Sequence, residues 1–323
     1  MGKKRQRYWI LRRRRRRKYR KNKRKRRKRD VAKRNFLEKF HTYLQRRYDD
    51  LNKNDTFRKS FHKLDGIGTE QSTEIAKLPA NMSKNRYRKV LPFDKKRVIL
   101  MHGKDGSDYI NASNVDFPNQ KFIASQGPTE DTKQDFWEMI VQKNTKYIIM
   151  LTNLVEKKRT KCSQYWPEQS QATLHLGNMT IKHQNTEVYS TYVIRFFSIE
   201  VDGDIRNVVQ FHYTAWPDHD VPKLEKLLDF CRVVLSHTNR CNVPVVVHCS
   251  AGVGRTGTWI ALMRLIRQVI VVGKKVDIDD VIRHMRMCRN FMVMRTCQYK
   301  FLFESLLYML KKELGILLPV PCS

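Results

Sequence analysis

The chain has 323 residues, of which 41% are hydrophobic, enough apolar material for one large domain or two small ones. Its formal charge of +34 is uneven: residues 1 to 29 hold 20 of the 65 Lys and Arg and no acid, so +14 remains for everything after them. Seven cysteines with no CxxC pair and no zinc-like His spacing exclude a disulfide framework or a structural metal site. No apolar run approaches the eighteen or so residues of a membrane span.

In chain order, residues 1–29 repel one another too strongly to pack and read as a disordered basic tail. Such a tail suits a nuclear address or a nonspecific polyanion contact through residues 3–29. Sequence-specific nucleic-acid recognition is less well supplied, because only Tyr8, Trp9 and Tyr19 offer stacking surfaces. The folded part is expected over residues 30–314, with a short C-terminal tail at 315–323. It opens with FLEKFHTYLQRRY, where Phe36, Leu37, Phe40, Tyr43 and Leu44 keep helical spacing. Helical periodicity returns in TKQDFWEMIVQK, KLEKLLDFCRVVL, DIDDVIRHMRMCR and CQYKFLFESLLYMLKKEL, while TKYIIMLT, VYSTYVIRFFSIE, RNVVQFHYTAW and VPVVVH read as strands. No Pro/Gly/Ser linker divides residues 31–313, so the expectation is one α/β domain, a sheet covered by helices. Cysteine usage suits a reducing, intracellular compartment, the cytoplasm, with the nucleus open through the tail.

The stretch VVVHCSAGVGRTGT, residues 245–258, carries the chemistry. A buried strand leads into a glycine-broken loop, and the segment after Arg255 is helical. Glycines let main-chain N–H groups turn inward, and a helix N-terminus adds partial positive charge. The loop Ser250, Ala251, Gly252, Val253, Gly254 therefore suits an anion, and Arg255 can hold two phosphate oxygens at once. Such a ring stabilises the thiolate of Cys249, and the phosphate it holds is what that sulfur can attack. A Cys followed six places on by Arg is expected about once by chance in a chain this rich in both. The spacing decides nothing alone; the strand before it, the glycines and the helix after it do.

The run HCSAGVGRTG, residues 248–257, resembles the signature of the tyrosine-specific protein phosphatases. Further blocks similar to that family follow its order: KNRY (84–87), DYINAS (108–113), FIASQGP (122–128), DFW (135–137), NLVEKKRTKCSQYWP (153–167), WPDHDVP (216–222) and QYKF (298–301). The likeness covers about residues 34–312 and implies a twisted mixed sheet covered by helices, with no cofactor. It also implies roles. Cys249 is the nucleophile, Arg255 binds phosphate, and Asp218 protonates the leaving oxygen and then activates water. Thr256 helps the sulfur leave and His248 fixes the cysteine's surroundings. Tyr87 lines a slot deep enough to exclude phosphoserine, and Glu156 and Lys161 belong to a loop that pairs with Arg255 and Asp218.

The sequence also departs from the family pattern. In MVMRTCQY, Met294 takes the place of a glutamine that positions water, while Gln298 is kept, so a slow second step is expected because a thioether is a poor acceptor and no donor. Phe291 stands where many members have a small residue, Lys89 where an acid is usual, and Asp220 replaces a glycine. Lys89 implies a preference for acidic sequences around phosphotyrosine. Two other functions stay open at this point: a phosphotyrosine-binding trap with little turnover, and an RNA phosphatase, to which the basic tail would lend itself. The cationic single-domain character is similar to the tyrosine phosphatases of polydnaviruses (bracoviruses), which implies interference with host signalling.

Overall fold

A computed structural model of the chain describes residues 2–53, 55–101, 103–217, 220–238 and 242–316. Among these residues a nine-stranded sheet runs in the order β1-β2-β3-β11-β4-β10-β9-β8-β7. Its centre is formed by β3 (Gln120–Ser125), β11 (Val245–His248), β4 (Tyr147–Met150) and β10 (Asp204–Tyr213), which pair in parallel. Antiparallel strands extend both sides: β1 (Arg97–Ile99) and β2 (Tyr109–Phe117) on one, β9 (Tyr192–Val201), β8 (Met179–Val188) and β7 (Thr173–Leu176) on the other. The sheet is thus mixed, as expected, and β5 (Val155–Glu156) and β6 (Arg159–Thr160) form a separate hairpin.

Alternation in the central strands explains why both faces are covered. Val245 and Val247 of β11 pack into one apolar layer with Phe122, Ala124 and Ile149, whereas Val246 packs into the opposite layer with Ile123 and Ile148. A parallel strand buried on both faces needs this continuous apolar run. The first layer is roofed by α6 (Leu224–Thr238), α7 (Gly254–Ile266), α8 (Ile278–Cys288) and α9 (Thr296–Glu313); the second rests on α5 (Lys133–Gln142), through Phe136 and Trp137. Helix α7 is buried along nearly its whole length, from Thr256 to Met263. A helix apolar on every side belongs in the middle of a core.

Helix α1 (Gly2–Leu51) leads into the short helices α2 (Thr56–His62), α3 (Glu74–Lys77) and α4 (Pro79–Met82). Leu37, Phe40, Leu44 and Leu51 of α1 are buried, and Arg47 fastens the helix by pairing with Asp277 and with Asp279 at 2.7 Å. The sequence reading has residues 1–29 as a disordered basic tail outside the folded body, and the backbone of residues 2–29 forms the start of α1. Arg and Lys are good helix formers, and a helix nucleated over residues 36–51 propagates backward cheaply. The two descriptions agree on packing: Tyr19 and residues 22–32 are all exposed. Most of the C-terminal tail, residues 317–323, lies outside the described residues.

Candidate active site

The pocket lies at the carboxyl end of β11, at the centre of the parallel strands, where open α/β sheets place their ligands. Cys249 follows the strand directly and is 5% exposed at the base of a cavity of about 210 Å³. The loop after it turns back over the sulfur, and the Gly252 N–H donates to Cys249 Sγ at 3.3 Å. That turn requires glycine. Gly252 has φ +72°, and a Cβ there would lie 2.2 Å from the carbonyl oxygen of Ser125. Helix α7 begins at Gly254 and aims its N-terminus at the cavity. Ser250, Ala251, Val253 and Gly254 line the same space.

Arg255, on the first turn of α7, is held by Glu156 in a two-toothed pair at 2.6 and 2.8 Å and donates to the Leu151 carbonyl at 3.1 Å. Glu156 owes its position to the β5–β6 hairpin, whose two turn residues Lys157 and Lys158 have φ of 47° and 60°. Positive φ at both positions marks the tight turn that matches strand twist. Burial pushes the Glu156 carboxyl up, but the hydrogen bonds and charge of Arg255, helped by the Asn153 N–H and the Thr152 hydroxyl, outweigh it and hold the group below the usual carboxylate range. Lys161 lines the cavity, and its carbonyl accepts from Ser250 Oγ at 2.9 Å. With its proton so used, Ser250 Oγ accepts from Tyr87 Oη at 2.8 Å, which fixes the Tyr87 ring as one wall.

His248 is buried, with Nε2 2.8 Å from Tyr165 Oη and Nδ1 3.3 Å from the Cys249 carbonyl oxygen. Burial, above all, lowers its pKa to about 3 and keeps the ring neutral. Thr256 is fully buried and its hydroxyl has no hydrogen-bond partner among the described residues. Gln298 lies in the cavity wall, where its Oε1 accepts from the Met294 N–H at 3.0 Å and its Nε2 abuts Gly254. Met294 lines the mouth and is 50% exposed. Asp218 lies outside the described residues. Pro217 and Asp220 are described: the Pro217 carbonyl lies 3.4 Å from Arg255 Nη2, and Asp220 borders the cavity with its carbonyl accepting from Trp216 Nε1 at 3.0 Å.

One residue of the site escaped sequence reasoning. Arg289 is fully buried and donates to the carbonyls of Gly252 and Ala251, to Asn111 Oδ1 and to Ser113 Oγ. It braces the phosphate loop from behind and sets a positive charge beneath it. Part of the signal was available: position 289 comes four after Met285, in step with Ile278, Val281, Ile282 and Met285, although α8 ends at Cys288 and Arg289 follows it in extended backbone. Among the described residues no cluster of side chains suits a metal ion, and no helix is long and apolar enough to cross a membrane.

A family model described as protein-tyrosine phosphatase matches residues 81–308. Receptor-type tyrosine-protein phosphatase alpha of Homo sapiens is 39% identical over 282 residues, covering 84% of this chain and 34% of that protein. Receptor-type tyrosine-protein phosphatase eta of Gallus gallus is 39% identical over 285 residues, 86% of this chain and 20% of that protein. The phosphatidylinositol phosphatase PTPRQ of Rattus norvegicus is 37% identical over 291 residues, 88% of this chain and 12% of that protein. The chain spans a third or less of the length of these relatives.

Proposed function

Because the chain belongs to the protein-tyrosine phosphatase family, we propose that it hydrolyses phosphotyrosine in proteins through a phosphate ester of Cys249. The observation that carries this reading is the sulfur at the pocket base, facing an inward N–H at 3.3 Å and an arginine presented by a two-toothed carboxylate. The thiolate attacks phosphorus, an S–P bond forms, and the P–O bond to the tyrosine ring breaks. Asp218 gives its proton to the departing phenol oxygen, which leaves far more readily when neutral. Water then attacks phosphorus, its proton passes to Asp218, and the sulfur leaves again as thiolate. Arg255 and the loop N–H groups meet the charge that spreads over the three equatorial oxygens. The buried Thr256 hydroxyl, without a hydrogen-bond partner among the described residues, is available to the departing sulfur.

Two features bear on rate and substrate. Met294 offers the second step no donor, so cysteinyl phosphate accumulates; Gln298 keeps its Oε1 on the Met294 N–H and its Nε2 against Gly254. Tyr87 gives the slot an aromatic wall, which suits an aryl phosphate better than a triphosphate-ended RNA. Hydrolysis of a phosphotyrosine peptide, lost in Cys249→Ser, is the expected result. Cleavage of triphosphate-ended RNA in preference to the peptide, or retention of phosphopeptide without any product, would transfer the protein to the RNA phosphatase or the trap reading.

The basic segment of α1 supports a second contact. With 20 cations in residues 1–29 and no acid, it attracts a polyanion through counterion release, or an import receptor. Deleting residues 3–29 is expected to abolish salt-sensitive binding to duplex nucleic acid and to leave peptide hydrolysis intact. The likeness to bracovirus phosphatases extends the reading to host signalling proteins in the cytoplasm, testable as a fall in phosphotyrosine when insect blood cells express the active chain but not Cys249→Ser.

A further inference from the structure

Behind the pocket, three buried side chains connect the catalytic loop to strand β9. Arg195 and Gln210 are direct partners across the β9–β10 pair. The Arg195 guanidinium lies 4.7 Å over the Trp166 ring and does not line the cavity. Its Nη1 carries two hydrogens and faces two acceptors, Gln210 Oε1 at 2.8 Å and His212 Nδ1 at 3.2 Å. Each acceptor begins a chain whose direction is then forced.

Along the first chain, Gln210 turns its oxygen to the cation, so its Nε2 donates to Tyr165 Oη at 2.7 Å. The single proton of Tyr165 goes to His248 Nε2 at 2.8 Å in preference to the weaker acceptor Met150 Sδ at 4.0 Å, which leaves the ring proton on Nδ1, facing the Cys249 carbonyl. Flipping the Gln210 amide would set N–H against guanidinium. Along the second chain, His212 accepts at Nδ1, so its proton is on Nε2 and donates to the Thr152 carbonyl at 2.9 Å. The Thr152 hydroxyl and the Asn153 N–H both donate to Glu156 Oε1 at 3.1 Å, and Glu156 holds Arg255. Gln210, His212, Tyr165 and His248 are all buried, so bulk water does not compete for these bonds.

We infer that Arg195 is a positioning residue that reaches both halves of the site: one nitrogen sets the hydrogen-bond polarity that ends on the Cys249 main chain, and it orients the His212 ring that holds the Thr152 carbonyl, beside the Thr152 hydroxyl and Asn153 N–H that donate to the Glu156 carboxylate. The inference rests on the proposed phosphatase reading for its meaning, but its test needs no turnover. The tautomer of His248 is read by proton–nitrogen NMR on protein carrying 15N-histidine, and the hold on Arg255 by competition of inorganic phosphate with a fluorescent phosphate-site ligand. In Gln210→Glu one carboxylate oxygen still accepts from Arg195, but the other can only accept from Tyr165. Tyr165 then has no proton for His248, whose tautomer reverses to Nε2–H, while phosphate affinity stays within about twofold. Arg195→Met is expected to mix the His248 tautomers and to weaken phosphate binding by about threefold or more, with Arg195→Lys restoring both. The inference is overturned if Gln210→Glu leaves His248 in the Nδ1–H form. It is equally overturned if a folded Arg195→Met, or Arg195→Leu should the methionine variant not fold, shows wild-type tautomer and phosphate affinity. Loss of phosphatase activity in the wild-type chain would refute the proposed function and leave these readouts untouched.

Discussion

The floor and the rim of the pocket are built on different terms. Cys249, Gly252, His248 and Arg289 at the floor are buried, and most are held from two sides: the loop by the sheet beneath and by Arg289 behind, the histidine by Tyr165 and the Cys249 carbonyl. Tyr87 and Met294 at the rim are exposed, as are Lys89 and Phe291 beyond the cavity lining, and three of the departures from the family pattern are among these four. A floor residue cannot change without leaving a buried polar group unpaired, which costs about 1–3 kcal/mol each. A rim residue meets mainly solvent and substrate. Chemistry is therefore fixed below, and rate and choice of substrate are set above.

The comparison is broken most sharply from below. Arg255→Lys keeps the charge but loses the two-toothed grip of Glu156 and of phosphate, and kcat/KM for an aryl phosphate is expected to fall by about 100- to 1,000-fold. A loss under tenfold would mean that the fork geometry is dispensable. The buried histidines set the next effect. His212 and His248 have pKa values lowered to about 4 and about 3, chiefly by burial, against about 6.5 in the unfolded chain. Between those values the unfolded state binds more protons, so stability falls as pH drops below about 6.5, by about 1.4 kcal/mol per pH unit for each histidine, and levels off below the folded values. Denaturant melts from pH 7 to pH 5 check the slope, and its fall by about half in His212→Asn checks the source.

Rim changes are expected to act on smaller scales. Met294→Gln restores an amide where water must be oriented, and should raise kcat several-fold, about 3- to 10-fold, while leaving the first step unchanged. Rapid-quench kinetics should accordingly show a burst of product in the native chain and a diminished one in the variant; no burst in the native chain would remove the slow-step account. Lys89→Glu should cost about 2- to 5-fold in kcat/KM for peptides with acidic flanks, an effect that fades as salt rises. A preference that ignores flanking acids at both low and high salt would contradict it.

The floor was also the legible part. The strand VVVH, the glycines and the helix after Arg255 are encoded locally, in runs of a few residues, and the structure brings Cys249, Arg255, Glu156, Tyr87 and Gln298 to one cavity. Arg289, Arg195 and Gln210 were not read, because a buried polar side chain in a chain with 65 Lys and Arg looks like any other until its partner from another element is placed beside it. Strand β8 was missed for a related reason. Its sequence MTIKHQNTEV is largely polar, and the alternation of Met179, Ile181 and His183 that buries it is confined to its first half. The basic end of α1 was read as a tail apart from the core, and Tyr19 and residues 22–32 are exposed.

The most direct test is to denature the protein in acid while it turns over a phosphotyrosine peptide and to look for phosphate on the peptide that contains Cys249. Stoichiometric phosphorus bound through sulfur, higher in the native chain than in Met294→Gln and absent from Cys249→Ser, is the predicted result. Full turnover with no such adduct at any time, or undiminished hydrolysis after Cys249 is alkylated, would contradict it.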